Sequence, residues 1–239
     1  MLKLKFYNFD AVSSTNDKAK EFALEGKYNL AITAKKQLKG RGRFNRSWSS
    51  NLGGLYMTLV LKEKDLDKSK YLTLIATISV AKSIKDICSL EAKVKWPNDV
   101  LIEDKKACGI LTELIHGKGT YELVGIGLNV NNSGFPNSIK NEATSLKIAS
   151  GRKFDAGKLS KEIIKNFSKL YICYQNKKYG KIIDLWKSYS HTLGKKVMAK
   201  TLNGDFIGEA IGVDKDCSLI LKLETGELKT IIEADIFVV

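Results

Sequence analysis

The chain has almost no histidine, cysteine, glutamine, proline or arginine, and the shortages exclude several kinds of chemistry. The two histidines, His116 and His191, stand far apart without HxxxH or HExxH spacing. That argues against a zinc site and against a histidine-based triad, and both are read as ordinary surface or satisfied residues. The four cysteines, Cys88, Cys108, Cys173 and Cys217, contain no CxxC pair and read as free thiols. The opening stretch from Met1 to Asp10 alternates apolar and polar residues like a strand. It has neither a signal peptide's apolar core nor the length of a membrane span, so a soluble, cytoplasmic protein is expected. No GxxxxGK followed by Ser or Thr occurs. Gly40-x-Gly42 and Gly125-x-Gly127 both lack the third glycine of a dinucleotide fingerprint, with Asn45 and Val130 in its place. This argues against a Walker-type ATPase and a Rossmann oxidoreductase.

What the chain has in excess is lysine. Its 239 residues carry a formal charge of +14, with the cations spread along the whole length. Spread charge and few glutamines fit a heat-adapted proteome, although nucleic acid or an acidic partner would also attract such a chain. Of the four arginines, three (Arg41, Arg43 and Arg46) fall within six residues. A planar guanidinium binds phosphate or carboxylate through two parallel bonds, which lysine cannot do.

Ser14 caps a helix, with Asp17 placed to reach back three residues on. Asn29 to Ala34 reads as a strand, and Lys35 to Gly54, rich in glycine and without periodicity, as a long functional loop. Leu55 to Leu61 is a strand, and Ser69 to Cys88 has helical spacing. Strands follow at Lys93 to Ile102 (around Trp96-Pro97-Asn98-Asp99), Cys108 to Ile115 and Tyr121 to Val130. Two helices come next: an amphipathic one carrying Leu159, Phe167 and Tyr174, then a shorter one over Lys181 to Tyr189. From Gly194 the pattern changes to short strands at Lys196 to Lys200, Phe206 to Val213, Leu219 to Leu223 and Lys229 to Ile232. Asn203-Gly204 is a hairpin signal between the first two. The spacing predicts an α+β fold, a mixed sheet with helices, followed by a small β-barrel. The expected division is 1–191 and 192–239.

Four segments carry chemistry-bearing residues. Gln37 to Trp48 holds Gly40, Arg41, Gly42, Arg43 and Arg46, an anion cradle or else a basic surface loop. Lys95-Trp-Pro-Asn-Asp99 aims Asn98 and Asp99 at one place, suited to Mg²⁺ or a ribose, or forms a plain Asx turn. Lys105 to Glu113 places a lysine before an apolar strand, with Gly109 permitting close approach, and reads as an ammonium for a substrate carboxylate or α-phosphate, or else as an unremarkable hairpin lysine. Val124 to Asn131 sets Gly125 and Gly127 on one strand face, leaving room for a flat ligand or marking a bulge.

In this order Ser-Thr-Asn, Gly-Arg-Gly-Arg ending in Trp, Lys-Trp-Pro-Asn-Asp, Lys-x-x-Gly-Ile-Leu-x-Glu and Gly-Ile-Gly-x-Asn resemble the successive signatures of biotin protein ligases. The likeness covers essentially the whole chain. It implies a class II synthetase-like catalytic fold with a C-terminal SH3-like barrel. The implied reaction joins biotin and ATP, with Mg²⁺, to biotinyl-5′-AMP and then biotinylates a lysine of a biotin carboxyl carrier protein or domain. The resemblance further implies that Ser14, Thr15, Asn16, Gln37 and Arg41 surround biotin's ureido end, with Gly40 and Gly42 in the same loop. Trp48, Leu111, Gly125 and Gly127 line its apolar slot. Arg43 and Lys106, as the catalytic pair, meet the carboxylate and the α-phosphate, while Asn98, Arg46 and Asn129 lie near ATP, Asn98 also near the metal. Two positions depart from the family pattern: Phe44-Asn45 stands where many members have Arg-Gly, and Thr112 where an aliphatic residue is common.

The nearest rivals, lipoate ligases and octanoyl transferases, share the fold but not the arginine loop combined with Lys-Trp-Pro-Asn-Asp. The rival of another class is a nucleic-acid binder. Ser14 comes so early that no room is expected for an N-terminal helix-turn-helix, so sequence-specific DNA and membranes are not expected partners. A homodimer is compatible with the reading.

Overall fold

The structure is a computed structural model that describes residues 2–62 and 68–239. Met1, from which the alternating opening run was read, lies outside them. Strands β1 (Lys5–Val12), β2 (Leu30–Gln37), β3 (Leu55–Lys62), β4 (Lys93–Lys95), β5 (Asp99–Ile102), β6 (Lys105–His116) and β7 (Thr120–Leu128) form one sheet. Its order is β1-β2-β3-β7-β6-β5-β4. β1 and β2 are parallel, joined by α1 (Thr15–Leu24), and the other neighbours are antiparallel.

The side-chain period of two gives the central strands two unlike faces. Met57, Leu59 and Leu61 of β3, with Val124 and Ile126 of β7, face the main core under α2 (Lys70–Cys88), α4 (Ala156–Gln175) and α5 (Tyr179–Tyr189). The alternate residues turn the other way. Val60 and Leu123 pack under Ala19 and Ala23 of α1, while Thr58, Gly125 and Gly127 lie along the same face. Fully burying an aliphatic side chain contributes about 1.5–3 kcal/mol, so the helical face supplies the cohesion. The opposite face is left free to be small and polar.

Ser14 is the N-cap of α1, its hydroxyl accepting from Asn16 N at 3.1 Å. Asp17 does not complete the expected reciprocal cap. It accepts from Ser13 Oγ at 3.1 Å and from Arg41 at 2.5 Å, because a guanidinium is the stronger partner for a carboxylate. β2 runs three residues beyond the expected strand, and short α3 (Leu146–Ser150) was not foreseen.

The second sheet holds β8 (Lys196–Thr201), β9 (Gly204–Val213), β10 (Leu219–Leu223), β11 (Leu228–Ile231) and β12 (Asp235–Val238), in the order β11-β10-β9-β8-β12. All its pairings are antiparallel. This is the small β module of the α+β fold expected from sequence, with β12 as an unforeseen closing strand. The apolar core is continuous between the two sheets. Buried Trp96 ties them further, its indole donating to Cys217 O at 3.0 Å while its backbone N–H donates to Thr192 Oγ1 at 2.9 Å.

Candidate active site

Two rungs of the first sheet form the floor of a cavity of about 720 Å³. One rung pairs Thr58 with Gly125 and Gly125 with Leu111; the next pairs Tyr56 with Gly127 and Gly127 with Gly109. Both central glycines are required by close approach. A Cβ on Gly125 would lie 2.3 Å from Asn16 Oδ1, and one on Gly127 would lie 2.5 Å from Trp48 Nε1.

At the α1 end a buried polar network is closed on itself. Gln37 Oε1 accepts from Thr15 N at 2.7 Å and Thr15 Oγ1 at 3.1 Å, while its amide donates to Ser50 Oγ at 2.8 Å. Thr58 Oγ1 lies 2.8 Å from Thr15 Oγ1 and 2.7 Å from Asn16 Oδ1. Asn16 Nδ2 donates to Glu113 Oε2 at 2.6 Å and Leu111 O at 3.3 Å, so the Asn16 amide is fully engaged. Glu113 also lies 3.7 Å from Arg41. Glu113, whose place in the motif does not by itself reveal a role, fixes both neighbours.

The loop after β2 forms a single turn at Arg43–Asn45. Phe44 and Asn45 both have positive φ, 54° and 55°. Asparagine tolerates this conformation much as the usual glycine does, while it is costly for a phenylalanine. The Phe44 ring is held between two guanidiniums, 4.8 Å from Arg43 and 5.7 Å from Arg46. Both arginines reach the β module: Arg43 donates to Glu233 Oε1 at 3.0 Å and Ala234 O at 3.4 Å, and Arg46 pairs with Asp235. Arg43 also donates to Asn98 Oδ1 at 3.2 Å.

Lys106 Nζ sits 2.7 Å from Asp99 Oδ1 and 5.4 Å from the centre of the Trp48 ring. The Lys106 backbone is fixed by Glu142 O and Thr144 N at 2.7 and 2.9 Å, tying it to the segment before α3. Four buried polar atoms of the cavity wall have no hydrogen-bond partner among the described residues: Arg41 Nε, Trp48 Nε1, Asn129 Oδ1 and His191 Nδ1. Such atoms are costly unless something else satisfies them. Of the residues singled out from sequence, Ser14, Thr15, Asn16, Gln37, Arg41, Gly42, Arg43, Arg46, Trp48, Asn98, Lys106, Leu111, Gly125, Gly127 and Asn129 all line this cavity. Gly40 does not; it lies beneath the loop, its carbonyl accepting from Trp48 N at 2.9 Å. Thr112 bonds Thr73 at 2.9 Å, so its hydroxyl is turned to α2 rather than the slot. The wall also includes Phe135, Ile139 and Ala234 to Val238, which carried no recognisable sequence signal.

His191 corrects the expectation of an ordinary histidine. It is buried in the cavity wall, with Nε2 2.7 Å from Asp104 and 2.8 Å from Lys195, and Nδ1 unpartnered. Burial pulls its pKa below 6.5; the bond to Asp104 opposes the shift and the Lys195 charge adds to it. The unfolded state therefore binds more protons just below pH 6.5, so stability is lost as pH falls from there through the lower folded value. Tm should decline over that interval, and His191→Gln should flatten the slope. An equal slope in the variant would assign it to other groups.

The Biotin/lipoate A/B protein ligase family model matches residues 8–131, and the Biotin protein ligase C terminal domain model matches residues 192–239. The bifunctional ligase/repressor BirA of Bacillus spizizenii is 39% identical over 234 residues, covering 95% of this chain and 72% of that protein. The biotin–acetyl-CoA-carboxylase ligase of Paracoccus denitrificans is 27% identical, covering 94% of this chain and 96% of that one. Among solved structures, the biotin protein ligase from Aquifex aeolicus in complex with biotin and ATP superposes with a TM-score of 0.84 at 30% identity. That match covers 98% of this chain and 97% of that one. The chain belongs to the biotin protein ligase family.

Proposed function

We propose that this chain activates biotin with ATP and transfers it to a lysine of a biotin carboxyl carrier protein or domain, using the cavity as follows. The observation that supports the assignment of roles is that an apolar slot and a group of cations share one cavity and meet at Lys106. Biotin's ureido end lies among Ser14, Thr15, Gln37 and Arg41, with Asn16 shaping the wall and Gly40 and Gly42 giving the loop its path. Its ring and chain lie between Trp48 and the floor of Leu111, Gly125 and Gly127. The carboxylate then points to Lys106 and Arg43. ATP lies along Asn98, Arg46 and Asn129, whose free Oδ1 accepts from the base.

In the first step a biotin carboxylate oxygen attacks the α-phosphorus. The bond to the bridging oxygen breaks and its electron pair leaves with pyrophosphate. In the second, a neutral carrier lysine attacks the acyl carbon and AMP leaves. Arg43 and Lys106 neutralise charge at the α-phosphate, and Trp48 and the loop exclude water from the anhydride.

Among the described residues no group of three or more His, Cys, Asp or Glu side chains converges on a metal position. The Asn98 oxygen already accepts from Arg43. This donor set fits a Mg²⁺ ion that arrives on the triphosphate and keeps water ligands, with Asn98 and Asp99 nearby. Bound there, the ion would neutralise the phosphates.

We divide the chain into a catalytic unit, 1–191, and a β module, 192–239. No described helix is long and apolar enough to cross a membrane, and we place the protein in the cytoplasm without a membrane partner. The +14 charge is spread rather than gathered on a groove-shaped element, which favours an acidic carrier over sequence-specific DNA. A homodimer is compatible with the exposed edge strand β1.

The expected result is biotin-dependent exchange of labelled pyrophosphate into ATP. Exchange with lipoate or octanoate but not biotin would reassign the substrate.

A further inference from the structure

The lysines of this chain are spread along its length, but the acids are not. Residues 63–142 balance eleven cations against eleven acids, and residues 192–239 carry two more acids than cations. The excess therefore sits in 1–62, which supplies the cavity's arginine loop, and in 143–191, where eleven cations meet three acids. Those three acids leave most of the charge unanswered. Asp155 is spent as the N-cap of α4, accepting from Gly157 N at 2.7 Å and Lys158 N at 3.0 Å. Glu162 pairs with Lys165 at 3.0 Å, and Asp184 makes no salt bridge among the described residues. Lys158, Lys161, Lys169, Lys177, Lys178 and Lys181 are exposed and have no carboxylate partner among the described residues.

The helical period gathers them. Lys158, Lys161, Lys165 and Lys169 fall on one side of α4, while Leu159, Ile163, Phe167 and Tyr171 fall on the other, buried against the core. The row is about 16 Å long at 1.5 Å per residue. Lys177, Lys178 and Lys181 continue the charge around the start of α5. Stability does not account for this placement. Lys158 and Lys161 stand near the N-terminus of α4, whose last turn has no basic residue. Lys178 is the N-cap of α5 without a side-chain bond, and no acid stands in that helix's first turn. A helix dipole favours acids at this end, and the four-residue spacing of Lys161, Lys165 and Lys169 sets like charges side by side. A face kept positive against both effects is shaped for an anion outside the protein.

We propose that this face of α4 and α5 binds the phosphate backbone of double-stranded DNA without reading its sequence. One DNA strand carries a charge every ~3.4 Å of axis, so the α4 row spans roughly five phosphates. Lysine is a point charge that contacts phosphate and leaves base edges unread. The one arginine of the segment, Arg152, donates to Cys88 O at 2.9 Å. A membrane surface fits less well, because a helix lying in a bilayer buries its apolar side there, and the core already uses that side of α4. An acidic protein presents carboxylates at separate points rather than as an unbroken line. None of these lysines lines the cavity, and α4 packs on the sheet face opposite it. DNA and the biotin reaction therefore occupy different sides of the molecule, and the proposal is independent of the reaction assigned to the cavity.

The test is fluorescence anisotropy of a labelled, mixed-sequence DNA duplex titrated with the full chain at several salt concentrations. One variant combines Lys158→Gln, Lys161→Gln and Lys169→Gln. A charge-matched control combines Lys3→Gln, Lys20→Gln and Lys36→Gln, all exposed and without an ion pair among the described residues. The row variant should bind at least about tenfold more weakly, and its slope of log affinity against log salt should shrink by about two to three. The control should stay close to wild type, and scrambling the duplex sequence should change nothing. Biotin adenylation should be equal in all three proteins. Equal weakening by both variants would reduce the effect to net charge and overturn the surface. Tighter binding of wild type to anionic vesicles, polyglutamate or duplex RNA than to duplex DNA would overturn the choice of partner. Glutamine is a good helix former, so the row should fold without its lysines. If that variant does not melt cooperatively, mass spectrometry of wild type after brief acetylation decides. Duplex DNA should shield Lys158, Lys161 and Lys169 but leave Lys20 and Lys36 reactive, and even shielding of all five would remove the proposal.

Discussion

Lys106→Ala slows formation of biotinyl-5′-AMP by roughly a hundred- to a thousandfold, the cost of removing one fixed charge from a developing phosphate charge. Lys106 is held from two sides, by the Asp99 carboxylate at 2.7 Å and by a backbone fixed between Glu142 and Thr144. A group held so firmly need not reorganise as charge builds. The alanine variant also frees Asp99, whose negative charge would then face the phosphates, so part of the loss is repulsion. Asp99→Asn together with Lys106→Ala should therefore recover some of the rate. Rapid-quench measurement of the first step would decide, and an unchanged rate in Lys106→Ala would remove the lysine from the chemistry.

Gly127→Ala should abolish useful biotin binding while leaving the fold standing; Gly125→Ala should damage both. Each added methyl meets a neighbour at van der Waals overlap, 2.5 Å from Trp48 Nε1 for Gly127 and 2.3 Å from Asn16 Oδ1 for Gly125. The neighbours differ in freedom. Trp48 is a half-buried loop residue and can swing away, which moves the wall of the slot. Asn16 is buried and bonded to Thr58, Glu113 and Leu111, so the strain stays in the core and costs about 1–3 kcal/mol. Calorimetric biotin titration beside thermal melting separates the two. Biotin affinity of Gly127→Ala within about threefold of wild type, about 0.65 kcal/mol, would show that the ligand does not use this space.

Much of this was legible in the chain. The apolar runs Leu55 to Leu61 and Tyr121 to Val130 marked strands, and the strand period of two put Gly125 and Gly127 on one face. The scarcity of arginine singled out the loop that lines the cavity. What escaped was set by partners distant in sequence. Asp17 reads locally as half of a capping box, but Arg41, 24 residues on, takes it. His191 looked ordinary because nothing near it in sequence reveals Asp104, 87 positions away, or the wall that buries it. β12 is too short to carry a period, and its contribution to the cavity wall comes from packing alone.

On the proposed roles of Arg43 and Arg46, their hold on Glu233 and Asp235 makes the β module a rival of the nucleotide for the same guanidiniums. In linkage terms, whatever affinity a phosphate gains by taking those arginines is reduced by the strength of the contacts it breaks, and the reduction is mutual. Tightening the module's grip, for example by lengthening Asp235 to glutamate, would tax ATP. Neutralising Glu233 would spare ATP that cost and loosen the module instead. The carboxylates thereby act as an internal competitor, present at a fixed effective concentration, against which every incoming triphosphate is measured.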